Sequence, residues 1–314
     1  MKKEVFAMKN IWVISDVPEY AYELLSKVAG TGEKITAYVN GDEAVAAECQ
    51  AYGANDVKLI PVPEQKPWEQ YAKVVVEDGK DSTPDLIAVA ATRRGKTIAA
   101  QIAALFDAPY ISESKVLEAE GGKVLFKRTI YGGLAEKSVE IEGTPAVVSV
   151  APGTFEKQKP AAPGSGEVTA LGLSNSSSIT VIERKEKEAS SVNLNEAEIV
   201  IGVGRGFGKE ENLKYAEELA SLLGAEIGCS RPVTEDLKWY PEERYIGISG
   251  AVIKPKLYIA AGISGQVQHI YGVRESKTIV SIDKNEDAPI FKVSDYYIVG
   301  DLEEVLPEII NALK

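Results

Sequence analysis

The 314-residue sequence holds one histidine, two cysteines and two methionines, and these scarcities exclude a good deal of chemistry. Every mechanism that needs a histidine base, a histidine ligand or a Ser-His-Asp triad must run through His269 or be discarded, which removes most hydrolase readings. Cys49 and Cys229 stand far apart with no metal-ligand spacing around either. Neither a disulfide framework nor a zinc site is expected, and a reducing cytoplasm fits. Long apolar runs are missing as well: no stretch approaches the roughly 20 residues of a membrane span. Near the N-terminus Lys9 and Asn10 interrupt an apolar stretch that is too short for a signal-peptide core. Positive charge is in deficit, with 35 Lys and Arg against 47 Asp and Glu and a formal charge of −12. The longest basic cluster is Arg93, Arg94 and Lys96, so no nucleic-acid partner is expected.

What remains is an ordinary folded composition, 45% hydrophobic and 26% charged, at a length that suggests two domains. The first half alternates short β-rich runs with helix-like segments: Ile11 to Ser15, Glu19 to Ala29, Lys34 to Val39, Glu43 to Tyr52, Val57 to Ile60. A strand over Asp85 to Ala90, a helix in AAQIAALFDA and a buried strand over Pro145 to Val150 continue the pattern, which predicts a parallel α/β domain. From Gly153 to Asn195 the alternation fails, and KQKPAAPGSG and LGLSNSSS read as linker, with one candidate strand at Ser178 to Arg184. A second α/β alternation starts at Ala197 to Gly204. It runs through a helix over Glu210 to Leu223, a strand over Lys256 to Ala261, a helix over Gly265 to Val273, a strand over Thr278 to Ile282 and a closing helix over Leu302 to Leu313. The expected organisation is an N-terminal α/β domain over 1–190, linker-like from about 151 to 195, and a doubly wound domain over 196–314, both built on parallel sheets.

Two glycine-rich turns come close to nucleotide fingerprints and fail them. AATRRGKT lacks the P-loop's first glycine, since Ala90 stands there. IGVGRGFG lacks the last glycine of GxGxxG in either register, because Phe207 or Lys209 takes its place. Both are also simply tight strand-to-helix turns. LYIAAGISGQVQH carries more: a strand runs into Gly262-Ile263-Ser264-Gly265 and then a helix, so free N–H groups and the helix dipole make an anion site. His269 follows about one helical turn later, within reach of the next part of a ligand whose phosphates occupy the turn. Ser230 and Arg231 of CSRP and Ser249 of RYIGISG are candidates for the same pocket, although alone each reads as a surface or turn residue.

Taken together, GRG, SRP, IGISG, LYIAAGISGQVQH, SKTIVSIDKNEDAPIF and the later GDL closely resemble the FAD domain of electron-transferring flavoprotein alpha subunits, in order from Ile199 to Pro307. TRRGK and the YGG of Tyr131 to Gly133 extend the resemblance, more loosely, to the N-terminal half. SRP, ERYIGISG and GISGQVQH look most like the FixB-type branch, associated with carnitine and enoyl-CoA reduction.

The resemblance implies FAD as cofactor, with Arg205 and Ser230 lining its site, Arg231 over the isoalloxazine, and Ile246, Gly247, Ile248 and Ser249 beside it, the Ser249 hydroxyl near flavin N5. It implies that Ser264, Gly265, Gln266, Val267, Gln268 and His269 hold the pyrophosphate and bring the imidazole to the pyrimidine end, and that Asp283, Asp301 and Leu302 line the ADP side. Two departures stand out: Ile248-Ser249 where much of the family has Gln-Thr, and Asp283 where it has Asn, an acceptor-only carboxylate in place of an amide. The implied role is electron carriage in a heterodimer with a beta subunit, serving an acyl-CoA dehydrogenase or enoyl-CoA reductase. Arg231 and a protonated His269 would favour added negative charge on the flavin, and His269 would titrate between about pH 6 and 8. The competing readings are an NAD(P)-dependent oxidoreductase using the same pocket and a non-redox nucleotide-binding module.

Overall fold

The computed structural model describes residues 8–61, 67–120, 123–143, 145–172, 179–183 and 193–314. The chain divides into two compact units, Met1–Arg184 and Lys185–Lys314.

The first unit runs β1 (Met8–Ser15), α1 (Pro18–Val28), β2 (Gly32–Val39), α2 (Glu43–Ala51), β3 (Asp56–Leu59), α3 (Tyr71–Gly79), β4 (Leu86–Ala90), α4 (Arg93–Phe106), β5 (Tyr110–Ser114), β6 (Val116–Glu120), β7 (Lys123–Ile130), β8 (Ala135–Glu142), β9 (Ala146–Val150) and β10 (Val168–Ala170). Seven of these strands form a parallel sheet in the order β10-β3-β2-β1-β4-β9-β5. Its central strands are buried on both faces. Ile11 and Val13 enter one apolar cluster while Trp12 and Ile14 enter the other, which is why these strands read as unbroken hydrophobic runs.

Two features differ from the sequence expectation. Strands β6, β7 and β8 make a separate antiparallel sheet outside the parallel α/β alternation, and among its described residues Leu117, Val124, Phe126 and Ile141 are buried in the core with Val139 packed against it. The stretch read as linker contributes β10, which pairs with β3, and the Gly164 and Gly166 N–H groups donate to Gln50 and Asn55 carbonyls. The candidate strand at Ser178 to Arg184 is absent over its described residues, Ile179 to Glu183. Ser178 and Arg184 lie outside the described residues.

The second unit contains β11 (Ile199–Val203), α5 (Leu213–Leu223), β12 (Glu226–Cys229), α6 (Arg231–Glu235), β13 (Leu257–Ala261), α7 (Val267–Val273), β14 (Ile279–Asp283), β15 (Tyr296–Val299) and α8 (Leu302–Leu313). All five strands are parallel, in the order β12-β11-β13-β14-β15. Ile201, Val203, Ile259 and Ala261 pack one face with residues of α5 and α8, while Val200, Tyr258 and Ala260 pack the other with Val273 of α7. Counted within the unit the order is 2-1-3-4-5, so the direction in which successive strands are added reverses between β11 and β13. In such sheets the crevice outside the carboxyl ends of these two strands is the place where ligands bind. No helix among the described residues is long and apolar enough to cross a membrane.

Candidate functional site

The carboxyl ends of β11, β12, β13 and β14 open into one cavity of about 630 Å³, within the range of small-molecule sites. Arg205, Gly206 and Gly208 follow β11; Ser230, Arg231 and Pro232 follow β12; Gly262 to Gln266 follow β13; Asp283 ends β14 and Lys284 follows it. Tyr245, Ile248, Ser249, Gln268 and His269 complete the wall.

The glycines show how the backbones come together. A Cβ on Gly204 would lie 1.9 Å from the Gly262 carbonyl oxygen, and one on Gly206 would lie 2.6 Å from the Gly262 Cα. The near-miss fingerprint after β11 is therefore a close-packing device between the two switch-point turns, held by Gly206 N–H donating to Gly262 C=O at 3.0 Å. Gly262 has φ +64° and Gly265 φ +84°, the left-handed region that other residues adopt at a cost. Gly265 also needs to be small, since its Cβ would meet the Ile290 nitrogen at 2.3 Å. Gly202 plays a different part: its missing side chain leaves room for the Tyr258 phenol.

The segment carrying Tyr245 to Ser249 is tied down at both ends. Arg244 Nη1 donates to the Ile227 carbonyl at 2.7 Å, Ile246 N–H to the Cys229 carbonyl at 2.9 Å and Ile248 N–H to the Gln268 carbonyl at 2.9 Å. Charge is distributed with three cations, Arg205, Arg231 and Lys284, against one carboxylate, Asp283, on the lining. The Arg231 guanidinium is 61% exposed and ion-paired through Nε to Glu235 Oε1 at 2.8 Å. Asp283 Oδ1 accepts the Asn285 N–H at 2.9 Å, which fixes the turn after β14. The start of α7 supplies N–H groups that the helix itself leaves unpaired, beside Ser264, Gly265 and Gln266.

His269 departs most from expectation. Its ring is buried at 6% exposure, Nε2 lies 2.7 Å from the Tyr258 hydroxyl and Nδ1 lies 3.0 Å from the Ile246 carbonyl oxygen. A carbonyl only accepts, so Nδ1 carries the proton and Nε2 accepts from Tyr258, which itself lies fully buried. Burial pushes the imidazole pKa down to about 4, against a smaller upward pull from the Ile246 carbonyl. The expected titration between about pH 6 and 8 is corrected accordingly: near neutral pH the ring is an uncharged strut joining β13, α7 and the Ile246 segment.

Of the residues singled out in the sequence, Arg205, Ser230, Arg231, Ile248, Ser249, Ser264, Gly265, Gln266, Gln268, His269 and Asp283 share the cavity wall. Ile246, Gly247, Val267, Asp301 and Leu302 are not on that wall. Ile246 is buried beneath it, Asp301 caps α8 by accepting the Glu303 N–H, and Leu302 packs into the core against Gly262. Sequence reasoning missed Tyr245 and Lys284. Lys284 had a usable signal, as the first residue after a parallel strand, whereas Tyr245 comes to the wall only through the fold of its loop.

A parallel sheet with a cavity at its switch point, close-packed glycine turns and a cationic lining defines a nucleotide-cofactor-binding module. Residues 193–274 match the electron transfer flavoprotein FAD-binding domain, and residues 5–176 match the electron transfer flavoprotein domain. Protein FixB of Salmonella typhimurium is 38% identical over 307 residues, covering 97% of this chain and 98% of its own. Protein FixB of Escherichia coli O7:K1 is 39% identical with the same coverage. The chain belongs to the electron transfer flavoprotein family, on its alpha-subunit (FixB) side, and its C-terminal unit is an FAD-binding domain. The cavity suits that cofactor: close backbone approach, unpaired N–H groups and cations accept a diphosphate, and Tyr245, Ile248 and Pro232 offer an apolar wall to a ring.

Proposed function

We propose that this chain is the FAD-carrying alpha subunit of a heterodimeric electron-transferring flavoprotein. It works with a beta subunit in the cytoplasm and exchanges electrons with an acyl-CoA dehydrogenase or enoyl-CoA reductase. The observation that supports this most is the switch-point cavity itself, cationic in its lining and with the chain's one histidine engaged in structural hydrogen bonds.

Bound FAD supplies reversible electron uptake, and the residues around it bind, orient and set the local potential. We assign Ser264, Gly265, Gln266, Gln268 and Arg205 to the pyrophosphate, where N–H groups and a cation meet negative oxygens. Arg231, Ile248 and Ser249 are assigned to the isoalloxazine. With the cofactor bound, the Arg231 cation would favour negative charge on the ring and the Ser249 hydroxyl would serve as a donor to it. Ser230 completes that side, and Asp283 with Lys284 faces the ADP half. His269 supports this arrangement from below by holding Ile246 and Tyr258 in place.

Co-expression with its natural beta subunit tests the assignment. The expected product is a yellow heterodimer with flavin absorbance, while the chain alone loses FAD or aggregates. A colourless complex that binds NAD, or a fully active FAD-saturated monomer, overturns it.

A further inference from the structure

Among the described residues lining the cavity, Tyr245 is the one aromatic side chain besides His269. Its backbone lies alongside the end of β12, where Cys229 and Tyr245 form a parallel bridge, and its carbonyl accepts the Ala251 N–H at 2.8 Å. The following loop is folded over its ring. A Cβ on Gly250 would lie 2.5 Å from Tyr245 Cδ1, and one on Gly247 would lie 2.5 Å from the phenol oxygen. Two glycines thus clear space for this one side chain. The phenol oxygen lies 3.4 Å from Ser249 Oγ.

A phenol and a serine hydroxyl each carry one proton and accept through lone pairs. A phenol is the stronger donor of the two hydroxyl types, so across the 3.4 Å contact the phenol proton points to Ser249 Oγ. A serine that accepts this proton has its own O–H free to turn into the cavity as a donor. We propose that Tyr245 is a positioning residue that fixes the Ser249 hydroxyl as a donor toward the flavin ring; this rests on the assignment of Ser249 to the isoalloxazine. The side chain holds its own conformation through Gly247 and Gly250, so the orientation is set before the cofactor enters.

The test uses FAD-loaded full-length protein and three variants, Tyr245→Phe, Ser249→Ala and the double variant. The flavin midpoint potential and the FAD dissociation constant are read for each. Tyr245→Phe keeps the ring and its packing, so FAD affinity should stay within about twofold of wild type. The preference for reduced over oxidised flavin should fall about fivefold, the size of one neutral hydrogen bond, equivalent to about 40 mV for one electron. Ser249→Ala should lower it by at least as much, and the double variant should match Ser249→Ala alone, because the phenol acts only through the serine. If Ser249→Ala lowers the potential while Tyr245→Phe leaves it unchanged, or if the two effects add, the role of Tyr245 is overturned and the serine assignment stands. If Ser249→Ala itself leaves the potential unchanged with FAD bound, the serine assignment falls and the role of Tyr245 falls with it.

Discussion

Each of the chain's two parallel sheets has a switch point beside its first strand, and the two switch points are put to opposite uses. In the N-terminal sheet the reversal lies between β1 and β4. There Thr92 donates to the Asp16 carboxylate at 2.5 Å and accepts the Gly95 N–H at 2.9 Å, while Arg94 lies 4.0 Å from the same carboxylate. A side-chain carboxylate already sits at the start of α4, where a phosphate would otherwise be welcome, and Lys96 is drawn aside to Glu113 at 2.9 Å. In the C-terminal sheet the corresponding turns carry Gly204, Gly206 and Gly262 and open into the cavity. A switch point in a parallel sheet gives a ligand site only where its turns leave N–H groups unclaimed and open into a cavity.

The sharpest way to break this contrast is to add one methyl group to each turn. Gly262→Ala puts a Cβ 2.8 Å from the Gly206 Cα at a left-handed φ, so the two switch-point turns must separate. FAD content, read as flavin absorbance per protein, should fall to near zero. Gly95→Ala, whose Cβ would meet the Ala90 carbonyl oxygen at 1.9 Å, should cost the N-terminal unit about 1 to 3 kcal/mol in denaturant unfolding. It should leave FAD content near wild type. Equal loss of FAD from both variants would show that the N-terminal switch point also serves the cofactor.

How far the sequence revealed this contrast depends on which physical signal each residue leaves. The parallel strands were visible because burial on both faces makes them continuous apolar runs, and the glycine turns were visible because few residues tolerate such close approach. The closing of the first switch point by Asp16 was not, since Asp16 and Thr92 are 76 residues apart and meet only in the fold. His269 was identified through its motif, but its burial was not. Its partners come from β13 and the Ile246 segment, and neither Tyr258 nor Ile246 announces in sequence that it will satisfy an imidazole.

That burial yields a prediction about acid. Unfolded, His269 takes up a proton near its ordinary pKa of 6.5, whereas folded it does so only near about 4. Between those values the unfolded chain binds more protons, so the stability contributed by the neutral ring is complete above 6.5 and is lost as pH falls toward 4. A depression of this size is worth about 3 kcal/mol at full extent. His269→Gln should be less stable than wild type at about pH 7, with the gap narrowing at about pH 4.5, in denaturant titrations. The slope of the flavin potential between about pH 6 and 8 should be the same in both proteins. A flatter slope in the variant would mean that the imidazole titrates against the flavin, contrary to its burial.

The smallest expected effect lies at the rim, where the comparison becomes one between a fixed charge and its counterion. Arg231 and Glu235 are one helical turn apart on α6, 61% and 48% exposed, and joined at 2.8 Å. Both are open to solvent, so each is screened, and neither should alter folding appreciably. Their influence on a flavin in the cavity has opposite sign. Removing the cation by Arg231→Ala takes away positive potential from the wall and should lower the flavin midpoint potential at every pH. Glu235→Gln leaves the guanidinium without its neutralising partner and should raise it. Arg231→Lys should recover part of the loss, since the charge returns but the planar group that can stack on a ring does not. Raising the salt concentration should shrink all three shifts together. Spectroelectrochemical titration of FAD-loaded protein reads each shift directly. If Arg231→Ala and Glu235→Gln move the potential in the same direction, the pair acts through the conformation of α6 and not through its charge.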